Sequence, residues 1–131
     1  MHCIIFLTIQ EVLAIHDDQI LRFGGLKGIR SQALLESTLS QPQVFFDNVY
    51  LHKDLYEMAA CYLFGIIKNH PFLDGNKRTG IICAILFLRY NRVKIQPSQE
   101  DFYKLAFEVA SSKKNKDEIV QELKKHVDFD A

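Results

Sequence analysis

Two long apolar stretches joined by a short polar segment constrain the fold of this chain more than any other feature. The first stretch follows Asp54 and carries Leu55, Leu63 and Ile67 at helical spacing. The second runs from residue 76 to residue 91 and has apolar side chains on both sides. A helix that is apolar around most of its circumference has to be buried. We therefore expect the second stretch to be the central helix, wrapped on most sides by the others.

The remaining signals predict about six helices. A helix from Thr8 turns Val12, Ile15, Ile20 and Phe23 inward and ends at Gly24 and Gly25. Residues 3–7 favour a short strand, and residues 93–95 a brief extended piece. The predicted fold is an all-α bundle in a single domain, residues 1–131, with a short N-terminal strand or flap segment. Helix-capping side chains precede the later helices, at Ser31, Asp54, Ser98 and Asn115.

The composition excludes several classes of protein. Sixteen Lys and Arg residues balance 16 Asp and Glu residues, so the chain lacks the basic surplus needed to coat nucleic acid or an anionic membrane. Its longest apolar run, residues 81–88, is far shorter than the roughly 20 residues that cross a bilayer. The three widely spaced cysteines suggest reduced, packed thiols rather than disulfides. We expect a cytoplasmic protein that neither binds nucleic acid directly nor enters a membrane.

The segment from His70 to Gly80, HPFLDGNKRTG, carries the chemistry. A helix N-terminus has unpaired N–H groups and a partial positive charge, so it normally favours acidic residues. Here the first turn carries Lys77 and Arg78 instead, which costs stability unless an anion binds there. Gly75 lets the backbone bend closely around such a ligand. The pattern predicts a phosphate site, although the GxxxxGK[ST] spacing of a P-loop is absent.

Two further residues complete a site for phosphoryl or nucleotidyl transfer. Asp74 is a carboxylate beside phosphate-binding cations, which is the usual arrangement for holding Mg²⁺ against phosphate oxygens. His70 ends the preceding helix and carries an imidazole, a side chain suited to general-base catalysis near neutral pH. We expect His70 to deprotonate a hydroxyl while the metal and the cations neutralise charge on the transferring phosphorus.

These residues resemble the signature of the Fic/Doc family, HxFx[DE]GN followed by a basic residue and Arg. The order Asn-Lys-Arg-Thr at residues 76–79 is similar to the Doc branch, the death-on-curing toxins of toxin–antitoxin pairs, where Fic enzymes have Asn-Gly-Arg. Upstream, residues 24–30, 34–37 and 42–43 resemble the segment that precedes the flap in Doc-like proteins. The resemblance covers most of the chain and implies the compact all-α Fic/Doc bundle.

The resemblance implies a role for each residue of the motif. His70 accepts the proton of a Ser, Thr or Tyr hydroxyl on a target protein, Asp74 binds Mg²⁺, and Phe72 anchors the loop. The phosphates of ATP are held by Gly75, Asn76, Lys77 and Arg78.

Two departures from Fic enzymes bear on which group is transferred. Those enzymes have Gly where Lys77 stands and usually a second Arg where Ile81 stands, and both help seat the β- and γ-phosphates for AMP transfer. Because a lysine fills that pocket, the resemblance to Doc implies that ATP binds in the reversed sense, with its γ-phosphate toward His70. The protein is then a kinase whose target is a translation elongation factor of the Tu type. An AMP transferase, a small-molecule transferase and a catalytically silent binding module are the alternatives.

The resemblance also implies inhibition by a partner. Many Fic proteins block themselves with a helix bearing [ST]xxxE[GN], a string that this chain does not contain. We therefore expect a Phd-type antitoxin to lay an amphipathic segment into an apolar groove near the active site. Phe45, Phe46 and Tyr50 are interpreted either as a flap that contacts target or antitoxin, or as core residues under a long loop. Structural or surface roles are expected for His2, His16, His52 and His126. Arg30 is interpreted either as a surface residue or as a contact for the antitoxin or target.

Overall fold

The helices of the computed structural model, which describes residues 3–129, begin where the capping residues predict. Within these residues there are six α-helices: α1 (Ile9–Phe23), α2 (Gln32–Ser40), α3 (Leu55–Asn69), α4 (Asn76–Tyr90), α5 (Gln99–Ala110) and α6 (Lys116–Lys125). The side chains of Ser31, Asp54, Ser98 and Asn115 each accept a hydrogen bond from the N–H three residues on, which confirms the four predicted caps. Helix α4 differs, because it begins after Gly75 without a side-chain cap.

Helices α3 and α4 form an antiparallel pair at the centre of the bundle. Gly80 permits their close approach, because a Cβ at that position would lie 3.2 Å from the carbonyl oxygen of Leu63. Further along the pair, the buried rings of Tyr62 and Phe87 pack with their centroids 5.2 Å apart. The chain passes from the end of α3 to the start of α4 through residues 70–75, so this loop lies at one end of the pair.

The neighbours of α3 modify the prediction that α4 alone is the central helix. Helix α3 packs against α2, the 3₁₀ turn Gln41–Gln43, α4, α5 and α6, whereas α4 packs mainly against α1, α3 and α5. Helix α4 is buried over most of its length, as predicted. The centre is nevertheless shared by the two helices, because α3 contacts more of the bundle.

Helix α1 turns a partly different face inward from the one predicted. Val12 is buried as expected, and His16 and Gln19 are buried beside it. Phe23 was predicted to be inward, but its ring is half exposed and lies 4.9 Å below the guanidinium of Arg78. The helix stops at Gly24, as predicted.

The predicted N-terminal strand is wrong. Residues 3–8 form no strand, because several of their backbone groups bond to side chains instead of to another strand. The N–H and the carbonyl of Ile5 pair with the side-chain amide of Asn91, and the N–H of Leu7 donates to the hydroxyl of Tyr62. The extended piece at residues 93–95 is confirmed, and it makes a single β-bridge between Ile95 and Val127.

The described residues contain one small antiparallel sheet, formed by β1 (Phe45–Phe46) and β2 (Val49–Tyr50). Asp47 and Asn48 make the connecting turn, and both have positive φ, 51° and 64°, as a two-residue hairpin of the primed type requires. Phe45 and Phe46 are exposed, and Tyr50 packs against Phe45 and Phe6. The interpretation of Phe45 and Phe46 as core residues is therefore wrong.

Two features of the described residues bear on the classes that the composition excludes. No helix in residues 3–129 is long and apolar enough to cross a membrane. Cys61 and Cys83 are buried as expected, whereas Cys3 is exposed rather than packed.

Candidate active site

The loop at residues 70–75 joins α3 to α4 and carries the predicted site. His70 follows the last residue of α3 in the left-handed conformation, with φ 53° and ψ 55°. Pro71 comes next and cannot continue the helix, so the chain turns at His70. The imidazole is exposed at this end of the bundle, and it is accessible to a substrate.

Phe72 fastens the middle of the loop to the core. Its side chain is fully buried, and its ring stacks on the ring of His16 with the centroids 3.8 Å apart and the planes within 7°. The Nε2–H of His16 donates to the carbonyl oxygen of Asp74 at 2.8 Å. A buried histidine of α1 therefore holds both Phe72 and the backbone of Asp74.

Asn76 closes the loop from within. Its side-chain oxygen accepts from the N–H of Phe72 at 3.1 Å, and its side-chain nitrogen donates to the carbonyl of Phe72 at 3.0 Å. The side chain is almost entirely buried. We predicted from the sequence that Asn76 binds phosphate, but in the structure its side-chain amide bonds to the loop backbone instead. A phosphate contact from this residue would come from its backbone N–H, one of the unpaired donors at the start of α4.

Asp74 points out of the loop with its charge exposed. Its carboxylate accepts from the N–H of Leu26 at 3.2 Å and from the N–H of Gly75 at 2.9 Å. These two hydrogen bonds, in that order, lower the pKa of Asp74, and Arg78 and His70 add to the effect. Gly25 permits this arrangement, because a Cβ there would lie only 2.7 Å from Oδ2 of Asp74.

The donor set fits Mg²⁺ bound together with a nucleotide. Within residues 3–129, no three His, Cys, Asp or Glu side chains are placed to hold a metal ion together. Mg²⁺ at nucleotide sites usually takes one or two carboxylates and completes its shell with phosphate oxygens and water. Asp74 is ionised at neutral pH and keeps free lone pairs, so it can supply that single ligand.

Lys77 and Arg78 occupy the first turn of α4, where no side chain caps the helix and no acidic residue balances the charge. The Lys77 ammonium lies 5.2 Å from the centroid of the Phe107 ring, and the Arg78 guanidinium lies over Phe23. The Nη1 atom of Arg78 is buried and has no hydrogen-bond partner. An unpaired buried donor costs about 1–3 kcal/mol, and an anion that accepted its hydrogen bond would remove that cost.

The side chains of the motif converge on a polar cavity of about 140 Å³. Its lining includes two neighbouring residues and six residues of the motif, namely His70, Asp74, Gly75, Asn76, Lys77 and Arg78. Small-molecule sites typically measure about 300–1,000 Å³, so this cavity suits the charged end of a ligand rather than a whole nucleotide. The structure therefore brings six of the predicted site residues to one place.

A second, mostly apolar groove of about 410 Å³ adjoins this cavity, and Arg78 belongs to both. Its walls come from the end of α1, the outer face of α4 and the start of α5. The apolar lining residues are Phe23, Ile81, Ile82, Pro97, Phe102 and Tyr103.

A segment far from the motif in sequence supports the loop from outside. Ile29 forms an antiparallel bridge with Phe72, and the N–H of Leu73 donates to the carbonyl of Gly28 at 3.0 Å. Arg30 is exposed, as expected of a surface residue, and its guanidinium also bonds to the end of α3. In the sequence, two features could have indicated the importance of this segment. They are its closely spaced glycines and the arginine that follows them directly before a helix cap.

The structure does not bring Phe45, Phe46 and Tyr50 to this site. The hairpin lies beside the start of α3 and the end of α4, where Val49 and Tyr50 line a separate cavity of about 750 Å³. Helix α3 has 15 residues and is about 22 Å long, so the hairpin and His70 lie at opposite ends of the bundle. The residues that lie beside the loop are those of the segment at 25–30, and contact of the hairpin with a target or antitoxin stays a prediction.

The other histidines have the structural roles expected of them, although His16 has a more specific one. The Nε2 atom of His52 lies 3.2 Å from the sulfur of Cys61, and burial lowers the pKa of His52. His126 lies 3.6 Å from the carboxylate of Asp101. His2 lies outside the described residues. The signal for His16 was its helical spacing with Val12, which places it on the inward face of α1.

Comparison with known proteins agrees with this arrangement. The model of the family described as "Fic/DOC family" matches residues 6–88 of the chain. The "Protein kinase doc" of Escherichia phage P1 is 38% identical over 93 residues, which is 70% of this chain and 71% of that protein. The "Toxin Doc" of Mycolicibacterium smegmatis is 36% identical over 73 residues, 56% of each chain. The matched residues include the whole loop and the segment that supports it, and the chain belongs to the Fic/DOC family, on its Doc branch.

Proposed function

We propose that this protein is a Doc-like toxin that transfers the γ-phosphoryl group of ATP to a hydroxyl of a target protein. The observation that carries the proposal is the first turn of α4, where Lys77 and Arg78 face a polar cavity and Nη1 of Arg78 has no partner. The names of the relatives support the same function, since one is a protein kinase and the other a toxin.

In this proposal each group of the chain has one task. His70 takes the proton as the target hydroxyl forms its bond to the γ-phosphorus, and the bond from that phosphorus to the bridging oxygen of ADP breaks. Lys77, Arg78 and the unpaired N–H groups of α4 hold the phosphate oxygens and stabilise their charge. Asp74 would hold Mg²⁺, which supplies further neutralisation of phosphate charge when it is bound.

The identity of the residues at two positions favours phosphoryl transfer over AMP transfer. Fic enzymes resemble this chain but carry Gly at the position of Lys77 and usually Arg at the position of Ile81. In this chain Lys77 reaches the cavity wall, and Ile81 is an almost fully buried apolar side chain that cannot bind phosphate. We infer that ATP binds with its γ-phosphate toward His70 and that its remaining parts extend beyond the cavity.

We propose a translation elongation factor of the Tu type as target and a Phd-type antitoxin as inhibitor, both in the cytoplasm. The apolar groove beside Arg78 is the proposed seat of an amphipathic antitoxin segment, because it is open, apolar and continuous with the catalytic cavity. The substitution Ile82→Glu should weaken antitoxin binding in calorimetry while leaving ATP binding intact. Unchanged antitoxin affinity would place the antitoxin elsewhere, with the hairpin at residues 45–50 as the next candidate.

The test of the transfer reaction uses ATP labelled either at the α- or at the γ-phosphate, incubated with purified protein, Mg²⁺ and the elongation factor. We expect label on the target from the γ-position only. Label from the α-position would instead indicate AMP transfer, and no label from either would favour a binding module.

Two variants sharpen this test. His70→Asn should abolish transfer while preserving the fold, because asparagine also tolerates the left-handed backbone of this position. Arg89→Gln is the matched control, since Arg89 bonds to the carbonyl of Ile95 away from the site. Transfer by His70→Asn at the wild-type rate would contradict the assignment of His70 as the base.

A further inference from the structure

The end of α3 is held by an arginine that lies 40 residues upstream of His70. The Nε–H of Arg30 donates to the carbonyl of His70 at 2.6 Å, and its Nη2–H donates to the carbonyl of Asn69 at 2.7 Å. The backbone N–H groups of Arg30 and Ser31 both donate to the carbonyl of Pro71, at 2.7 and 3.0 Å. Three successive carbonyls around His70 are thus bound by two adjacent residues.

These bonds act at a point of backbone strain. His70 has φ 53°, and the left-handed region is unfavourable for residues other than glycine. The last carbonyls of a helix also lack partners within the helix. The planar guanidinium of Arg30 satisfies two of them at once, and its positive charge suits the negative end of the α3 dipole.

We propose that Arg30 is a positioning residue, which keeps His70 in the conformation that directs its imidazole toward the phosphate cavity. The proposal rests on the proposed role of His70 as the base. Arg30 itself donates to backbone carbonyls and is not among the residues that line the cavity.

The effect of removing the Arg30 side chain follows from this geometry. The groups proposed to bind phosphate lie at the start of α4, and the loop before this helix is held by His16 and Asn76. Removing the Arg30 side chain should therefore change the KM for ATP less than twofold. A misplacement of about 1 Å at a reacting group can cost roughly 100-fold in rate. We therefore expect kcat to fall by about 10- to 100-fold.

The experiment compares wild-type protein with Arg30→Gln, Arg30→Lys and the control Arg89→Gln. Arg30→Lys keeps a positive charge at the helix end but lacks the planar fork whose Nε–H and Nη2–H reach the two carbonyls at a fixed spacing, so it should fold and still lose most of the kcat. NMR supplies a readout independent of transfer, because the coupling between the amide and α protons of His70 depends on φ. A changed coupling in both Arg30 variants, with the control unchanged, supports the proposal whether or not transfer is detected.

Two results would overturn it. One is an unaltered His70 coupling in Arg30→Gln and Arg30→Lys. The other is a kcat that Arg30→Lys restores to the wild-type value, which would mean that charge alone accounts for the effect. If wild-type protein transfers no phosphate, the proposed function fails, and the NMR comparison still decides the role of Arg30.

Discussion

Replacing Asn76 by alanine should destabilise the fold even when no nucleotide is present. Among the described residues, the Asn76 amide is the only side chain that bonds to the backbone of Phe72, and it pairs with both the N–H and the carbonyl. Phe72 is fully buried, so water cannot readily take the place of the lost amide. The substitution Asn76→Ala leaves two buried backbone groups without partners.

The expected loss in the free energy of unfolding follows from those two groups. Each buried group left unpaired costs about 1–3 kcal/mol, while alanine recovers roughly 0.5 kcal/mol through its better helix propensity. We expect a net loss of about 2–4 kcal/mol. For a chain of this size, 1 kcal/mol corresponds to a shift of roughly 3–5 °C in Tm, so the Tm should fall by about 10 °C.

Urea denaturation followed by circular dichroism measures this loss, and the chain offers a matched control. Asn91 also pairs with the N–H and the carbonyl of Ile5, but at an exposed site where water can replace the amide. Its Nδ2–H donates in addition to the carbonyl of Phe87, which keeps a partner in the variant because it also accepts from the N–H of residue 91. Asn91→Ala should therefore cost only about 1 kcal/mol or less. If Asn76→Ala is as stable as wild-type protein, or if the two variants lose equal stability, the structural role of Asn76 is refuted.

Three further predictions concern charge at the site and in the fold. Arg78→Met should raise the free energy of unfolding by about 1 kcal/mol, because it removes an unpartnered donor and a cation at a positive helix end; phosphate should raise the Tm of wild-type protein but not that of this variant. Gly25→Ala should displace the Asp74 carboxylate and let its pKa, measured by NMR, rise toward the ordinary value. The Tyr90 hydroxyl donates to Glu11 and lowers the pKa of Glu11 in the folded protein. The ionised Glu11 therefore stabilises the fold fully above its unfolded pKa of about 4.3, and this stabilisation is lost as the pH falls through the lower folded pKa. In urea denaturation, the stability advantage of wild-type protein over Glu11→Gln should be complete at pH 7 and disappear in acid, and a pH-independent difference would contradict this.

The helices could be predicted because their boundaries depend on local chemistry. Ser31 and Asp54 cap the helices that follow them through bonds to residues three positions away, and such bonds are visible in the sequence. The hairpin turn at Asp47 and Asn48 was not predicted, although it too depends on local chemistry, since both residue types tolerate positive φ. What depends on a few neighbouring residues can be inferred without knowing the fold.

The elements that the sequence misjudged depend on distant partners. Residues 3–7 have the composition of a strand, yet their backbone is satisfied by Asn91 and Tyr62, which are at least 55 residues away in the chain. Phe23 has an apolar side chain, but its ring lies at the surface and packs against the Arg78 guanidinium. Propensity could not separate these outcomes, because each is decided by tertiary contacts.

The candidate site shows the same division between local and distant information. Lys77 and Arg78 could be identified because they break a local rule, the preference for acidic residues at the start of a helix. His16 and Arg30 obey every local rule, and only the folded chain shows that they hold the motif loop, 58 and 40 residues away. Their importance is invisible to periodicity or composition.

The loop combines two demands that a single set of side chains could not meet. Groups that bind phosphate must stay unpaired in the free protein, and a loop of unpaired groups would not hold its shape by itself. The chain separates the tasks: Asn76, His16 and Arg30 bond to the loop backbone, while Lys77 and Arg78 are left to face the cavity. The bonds from the Asn76 amide, the His16 ring and the Arg30 guanidinium to the loop backbone therefore keep the loop in shape, while Lys77 and Arg78 place an excess of positive charge at the helix start. It follows that variants of the first group should lower stability and activity together, whereas variants of the second should lower phosphate binding without lowering stability.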